Sequence, residues 1–261
     1  MLKKNTMFGK PLVSVFLIHG GPGAAGTLTP LAELLAPDID CFAPWQTVLT
    51  IDGQIEELRE QITLAGNLPV TLVGHSWGAW LVWLFAARHP HLVKKIILVA
   101  PGVFEEKYVT NLMPTRLARL STREQNYFQQ LMGYFQDPAY KNKDFVMAEF
   151  GSLMRKADMY DEVQQGQFEQ KISFEVYDHI WPQAAALRKT GALLAAGEKI
   201  TCPVVSFHGD YDSTPPEGII NPLSQILSDY HWYILKNCGH YPWAERYARD
   251  EFLKKLKQEL S

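Results

Sequence analysis

The chain has 261 residues, 47% of them hydrophobic, with a formal net charge of −3 and an isoelectric point near 6.2. This length suits one large domain with a substantial core, alone or with an insertion. The slight acidity argues against nucleic acid as the main partner, and the lack of an apolar run of about eighteen residues argues against a membrane span.

Cellular location is predicted from the beginning of the sequence and from the cysteines. Residues 1–10 are basic but contain no apolar stretch long enough for a signal peptide, so we expect a cytoplasmic protein. Three dispersed cysteines indicate a reducing compartment rather than a disulfide framework: Cys41, Cys202 and Cys238. No grouping of His, Cys, Asp and Glu has the spacing of metal ligands, so we expect no metal.

The first part of the chain alternates apolar runs with loops and amphipathic segments. Residues 12–18 are almost continuously apolar and predict a central parallel strand, which ends in the loop His19-Gly20-Gly21-Pro22-Gly23. A short helix over residues 28–35 and a second strand over residues 39–43 are predicted next. Asp52 can cap a helix that ends near Ala65, with an apolar stripe of Ile55, Leu58, Ile62 and Leu64.

A third strand, residues 70–73, runs directly into Gly74-His75-Ser76-Trp77-Gly78 and then into an apolar helix from Trp77 to about Arg88. Such a rapid reversal from strand to helix leaves its middle residue on a sharp turn. Glycines two places either side remove the Cβ atoms that would collide where the helix crosses the strand. This arrangement would present the Ser76 hydroxyl as a nucleophile.

In the second part of the chain, the alternation of strands and helices is interrupted once by a helical segment. A fourth strand is predicted over residues 94–100, and from 103 to 197 strand signals give way to amphipathic helices, one with a capping box at Ser121-Thr122-Arg123-Glu124. Strands return at residues 204–207 and 231–235, with helices predicted over residues 222–228 and 245–260.

This alternation predicts an α/β fold with a mostly parallel sheet of about six strands and helices on both faces. The core domain would comprise residues 1–102 and 198–261, and residues 103–197 would form a helical lid. In such a sheet, ligands bind beyond the carboxyl ends of the strands. The glycine loop follows the first strand, Ser76 the third, Asp210 and Asp212 the fifth, and His240 the sixth.

The chain order Ser, Asp, His is that of α/β hydrolases, and the sequence resembles this superfamily. His19-Gly20-Gly21-Pro22-Gly23 together with Gly74-His75-Ser76-Trp77-Gly78 is similar in particular to the proline iminopeptidase branch. Gly209-Asp210-Tyr211-Asp212 and Cys238-Gly239-His240-Tyr241-Pro242 resemble the acid and histidine loops of the family. The likeness covers about residues 12–101 and 201–260.

The resemblance implies that Ser76 is the nucleophile and His240 the base. The acid of the family lies three residues after the loop glycine, which selects Asp212 and leaves Asp210 as the alternative. The oxyanion hole would consist of the backbone N–H groups of Trp77 and Gly21.

Other polar residues have structural interpretations. We expect His19, His75 and His208 to pack or to form hydrogen bonds within the fold. Eight acids of the insertion could hold a substrate ammonium group but are expected to form a solvated face: Glu105, Glu106, Glu149, Asp158, Asp161, Glu162, Glu169 and Glu175.

Three functions remain open at this point. The first is a serine hydrolase that cleaves a small ester, amide or related acyl substrate through an acyl-enzyme on Ser76. The second is a proline iminopeptidase-type aminopeptidase, although residues 43–47 (Ala-Pro-Trp-Gln-Thr) depart from the Asp-x-Arg-Gly-x-Gly-x-Ser sequence of that branch. The third is a catalytically weak ligand-binding or signalling protein. We expect a small-molecule substrate, a monomer or homodimer, and no cofactor, nucleic acid or membrane partner.

Overall fold

The computed structural model describes residues 6–8, 12–163 and 168–261. The predicted lead-in at residues 1–5 and 9–11, and residues 164–167 of the predicted insertion, lie outside this part. The strands are β1 (Thr6–Phe8), β2 (Val13–Ile18), β3 (Ala24–Ala25), β4 (Cys41–Ala43), β5 (Gly66–His75), β6 (Val93–Val99), β7 (Lys171–Ile172), β8 (Val204–Gly209) and β9 (Tyr230–Leu235). The α-helices are α1 (Thr29–Leu35), α2 (Ile51–Ala65), α3 (Trp77–Arg88), α4 (Leu112–Ala118), α5 (Thr122–Gln136), α6 (Lys143–Asp158), α7 (Phe174–Lys189), α8 (Ala192–Ala195), α9 (Glu217–Ile226) and α10 (Arg249–Leu260).

Seven of the described strands form one sheet in the order β1-β4-β2-β5-β6-β8-β9. Every neighbouring pair is parallel except β1 and β4, which are antiparallel. The mostly parallel sheet predicted from the sequence is therefore confirmed. The expected number of strands was one too low, because β1 has only three residues and shows no recognisable period.

Helices cover both faces of the sheet. Successive strand residues point to opposite faces, so neighbouring residues of one strand belong to different apolar clusters. Leu72 and Ile96 lie in one apolar cluster with α2 and α3, whereas Val73 and Ile97 lie in a second cluster with α1 and α10. All residues of α3 from Trp77 to Ala87 are buried. The helix that begins beside Ser76 is thus embedded in the core, which fixes its first turn.

Three local predictions were wrong. The N-cap of α2 is Thr50, whose side chain accepts a hydrogen bond from Gly53 N–H, and Asp52 lies in the first turn. Leu64 is 67% exposed and does not belong to the apolar stripe of that helix. Helix α9 begins at Glu217 and contains Pro222, where we had predicted its start.

The segment between β6 and β8 contains α4 to α8 and the short strand β7. It has a hydrophobic cluster of its own, which includes Phe128, Leu131 and Val146. The capping box predicted at Ser121 and Glu124 is confirmed. Within the described residues, no helix combines the length and the apolar character that a membrane span requires.

The N-cap assignment can be tested by paired Thr→Ala substitutions in α2. Thr50→Ala should lower the free energy of unfolding by about 1 kcal/mol, because the first turn loses its side-chain acceptor. Thr63→Ala is the control: Thr63 is exposed near the end of the same helix, and alanine has the higher helix propensity. Urea denaturation followed by circular dichroism measures both variants, and equal stability would refute the assignment.

Candidate active site

Ser76 occupies the turn between β5 and α3 with φ 53° and ψ −115°, a conformation that non-glycine residues rarely adopt. Its N–H donates to Val99 O at 3.0 Å, and its side chain is partly exposed. A Cβ on Gly78 would lie 2.1 Å from Ile18 O, and one on Gly74 would lie 2.3 Å from Gly78 O. The two glycines are therefore required by the close crossing of backbone at this turn.

The glycine loop lies directly beside this turn. A Cβ on Gly20 would approach Ser76 Cβ to 3.1 Å, and Gly21 has φ +53°. Trp77 is the first residue of α3, and the first N–H groups of a helix have no partner within it. Of the two residues predicted to form the oxyanion hole, Trp77 thus directly follows Ser76, and Gly21 directly follows the glycine that approaches it.

The structure brings Asp212 and His240 together. Asp212 Oδ2 lies 2.7 Å from His240 Nδ1, and its Oδ1 accepts from Thr214 N–H at 2.9 Å. Both residues are buried. The alternative acid, Asp210, instead lies 3.4 Å from the exposed ammonium group of Lys236. Of the two candidates, only Asp212 hydrogen-bonds to the imidazole.

His240 is linked to the serine turn through His75. His75 Nε2 donates to His240 O at 2.9 Å, and the two ring centroids are 4.8 Å apart. Burial, followed by the charge of His240, holds the pKa of His75 well below its usual range, so the ring is neutral. The residue that precedes Ser76 is therefore in direct contact with the loop and the ring of His240.

The two buried partners stabilise each other's charged forms. Burial alone would lower the pKa of His240, but the Asp212 carboxylate outweighs burial and raises it above 6.5. Burial would likewise raise the pKa of Asp212, but the positive charge and hydrogen bond of His240 lower it instead. The net effect is an ionised acid that orients the imidazole.

His19 and His208, the two other histidines for which we predicted structural roles, have structural contacts. Burial lowers the pKa of His19 to about 4, so the ring is neutral and one of its nitrogens can accept a hydrogen bond. Its Nδ1 donates to Gly20 O at 3.0 Å, and its Nε2 accepts from Gln46 N–H. His208 Nε2 lies 2.7 Å from Thr214 O. This second contact helps to hold the loop that carries Asp212.

The expectation of a solvated acidic face was wrong for one residue. Asp158, at the end of α6, is 2% exposed and forms an ion pair with Arg116, with an Nη2–Oδ2 distance of 2.7 Å. Its backbone O accepts from His240 N–H at 2.9 Å. Sequence patterns could not find this contact, because the partners of Asp158 lie far away along the chain.

In the described part of the chain, no group of three or more His, Cys, Asp and Glu side chains could hold a metal ion. The chemically distinctive groups of the site are instead a hydroxyl, an imidazole, a carboxylate and backbone N–H groups. Such a set can carry out nucleophilic acyl transfer.

Residues 15–253 match the model of an alpha/beta hydrolase family. The chain belongs to this family. The match covers both the glycine loop and the histidine loop, so the hydrolase fold identified from the sequence motifs is confirmed.

The pimeloyl-[acyl-carrier protein] methyl ester esterase of Chromobacterium violaceum is 24% identical, with 94% of this chain and 93% of that protein covered. The proline iminopeptidase of Saccharolobus solfataricus is 26% identical, with 92% and 82% covered. Lipase LipV of Mycobacterium tuberculosis is 33% identical over 76 residues, a local match to 28% of this chain and 29% of that lipase.

Among solved structures, a putative lipase of Acinetobacter baumannii superposes with a TM-score of 0.64 at 18% sequence identity. The alignment covers 97% of this chain and 87% of the lipase. This likeness shows that the two chains share a fold.

The assignment of the acid can be tested by titration. Asp212→Asn should lower the pKa of His240, because the charge that stabilises the imidazolium is removed and burial, which disfavours it, remains. Asp210→Asn should leave this pKa unchanged. NMR titration of the His240 ring protons, assigned with a His240→Gln variant, measures both, and equal shifts would contradict the choice of Asp212.

Proposed function

We propose that this α/β hydrolase is a serine hydrolase that cleaves a small carboxylic ester or related acyl substrate. The observation that carries the proposal is the 2.7 Å contact between His240 and Asp212, in a loop that packs on the residue next to Ser76. The strained backbone of Ser76 and the glycine loop beside it support the same chemistry.

The proposed reaction begins at the imidazole. With its Nδ1–H donated to Asp212, neutral His240 has a lone pair on Nε2 that can take the proton of the Ser76 hydroxyl. Ser76 Oγ then bonds to the carbonyl carbon, and the negative oxygen is stabilised by the N–H groups of Gly21 and Trp77. His240 passes its proton to the leaving alcohol as the ester bond breaks.

The second half of the reaction releases the acyl group. Water gives a proton to His240 and attacks the acyl-enzyme, and collapse of the intermediate returns the proton to Ser76 Oγ. The products are a carboxylic acid and an alcohol. Each step uses the same base and the same backbone donors.

Ester chemistry is supported by the full-length similarity to a methyl ester esterase. The similarity to a proline iminopeptidase favours a second candidate, an aminopeptidase. An aminopeptidase needs free carboxylates to hold the substrate ammonium group. Most of the acids that the sequence offers in the insertion already have cationic or phenolic partners: Asp158 with Arg116, Glu106 with Arg188, Glu149 with Tyr127, Glu162 with Arg155, Asp161 with Arg246, and Glu105 with Lys107.

A serine-directed fluorophosphonate should label the folded protein at Ser76, and Ser76→Ala should abolish labelling and lower kcat by about 10⁶-fold. Ser14→Ala, at an exposed position of β2, is the control and should behave as the parent protein. Mass spectrometry of labelled peptides identifies the site. A folded parent protein that is not labelled would contradict serine catalysis.

The two candidate substrate classes can be separated with a chromogenic panel. Short acyl esters should have the higher kcat/KM, because they need no carboxylate for an ammonium group, whereas an aminoacyl substrate would have to compete with the partners of most insertion acids. Prolyl and other aminoacyl anilides form the second arm, with N-acetylated prolyl anilide as the matched control that lacks the ammonium charge. A preference for free N-terminal proline over all esters would favour the aminopeptidase.

A further inference from the structure

Glu245 joins two distant segments of the chain through a fully buried carboxylate. Its Oε1 accepts from Gly239 N–H at 2.7 Å and from Tyr160 N–H at 2.8 Å, while its Oε2 accepts from Asp161 N–H at 2.8 Å. Gly239 directly precedes His240, whereas Tyr160 and Asp161 follow α6 of the insertion. One side chain thus accepts hydrogen bonds from the backbone of the histidine loop and from the backbone that follows α6, and so holds the two segments in contact.

Direct backbone hydrogen bonds reinforce the contact, which we call the cap junction and define as residues 158–163 against residues 239–246. His240 N–H donates to Asp158 O at 2.9 Å, and Val163 N–H donates to Ala244 O at 2.8 Å. A Cβ on Gly239 would lie only 1.8 Å from Asp158 O. The two segments are therefore in such close contact that neither can shift without the other.

The cap junction is also tied to the helices of the insertion. Asp158 ends α6, and its carboxylate is paired with Arg116 of α4. A displacement of α4 or α6 would therefore be transmitted to the backbone of His240. The imidazole has little freedom to compensate, because its Nδ1 must stay within hydrogen-bond distance of Asp212.

We propose that Glu245 is a positioning residue that holds His240 in its reactive place and couples that place to the seating of the insertion. The proposal rests on the proposed role of His240 as the base. Glu245 contacts neither substrate nor nucleophile in this role, and it acts through the backbone on either side of His240.

The size of the expected effect follows from two costs. Removal of the carboxylate leaves three N–H groups without their acceptor, and the loss is unfavourable above all at Gly239, whose N–H is buried. The histidine loop and residues 158–161 should then move apart. A displacement of about 1 Å in a catalytic group can lower the rate by roughly 10²-fold.

The experiment compares Glu245→Ala and Glu245→Gln with Glu259→Gln. Glu259 is a half-buried acid of α10 that accepts from Lys95 and Tyr233 and has no contact with the cap junction, so it controls for the loss of a networked carboxylate. Two readouts are taken: kcat and KM on a short chromogenic acyl ester, and the low-field proton NMR signal of His240 Nδ1–H. The second readout needs no substrate.

We expect Glu245→Ala to lower kcat by roughly 10²-fold with KM little changed, and to shift or broaden the low-field signal. Glu245→Gln should lower kcat by about tenfold. Its amide NH₂ must face at least one backbone donor, while its remaining oxygen still accepts from the others. Glu259→Gln should match the parent protein in both readouts.

If Glu245→Ala does not fold, the glutamine variant decides. A folded Glu245→Gln protein with parental kcat and an unchanged low-field signal would overturn the proposal. So would a loss confined to KM. A parent protein that turns over no ester and takes up no fluorophosphonate would refute the proposed function instead, while the NMR comparison would still report whether Glu245 positions His240.

Discussion

The buried hydrogen bond between Asp212 and His240 is the interaction on which the proposed chemistry depends. Each partner would be destabilised in its charged form by burial alone, and each is stabilised in that form by the other. An imidazole without this carboxylate would be oriented less strictly and would hold a proton less well. The pair is connected to the serine turn through His75, the residue that precedes Ser76.

Backbone contacts without room for a Cβ hold the segments that carry these groups, which follow the carboxyl ends of their strands. Gly78 lies against Ile18 O, and Gly239 lies against Asp158 O. Because protein interiors are closely packed, such contacts define positions more narrowly than side-chain packing does. The serine turn is thus held against the end of β2, and the histidine loop against the end of α6, by direct backbone contacts.

The sequence predicted the parts of the site whose signals are local. Gly74, Ser76 and Gly78 lie within five residues, and the close crossing of strand and helix explains why both flanking positions are glycine. Asp212 was selected over Asp210 by resemblance, since two acids in one loop cannot be distinguished by periodicity. The contact with His240 supports the same choice in the structure.

Local signals failed where tertiary contacts decide between equally plausible residues. Thr50 and Asp52 can both cap a helix, and the start of α2 depends on the path of the preceding chain. Asp158 was expected on a solvated face and Glu245 in the last helix, which in the structure begins at Arg249; their buried contacts could not be predicted, because Arg116 and Tyr160 lie 42 and 85 residues away from them. The charge of Asp158 suggested a solvated position, whereas its ion pair with Arg116 compensates for burial.

Hydrogen bonds connect the insertion to the segments that contain the proposed catalytic residues. Ser173 N–H donates to Gly23 O in the glycine loop, His240 N–H donates to Asp158 O, and Trp83 Nε1 of α3 donates to Leu193 O. The insertion has a hydrophobic cluster of its own, but α7 and α8 also contribute Val176, Ile180 and Leu193 to the core cluster that packs on the sheet. In the role proposed for Glu245, a displacement of α6 would reach His240 through the cap junction. The same backbone hydrogen bonds therefore connect the insertion both to the glycine loop and to the loop that carries His240, the proposed base.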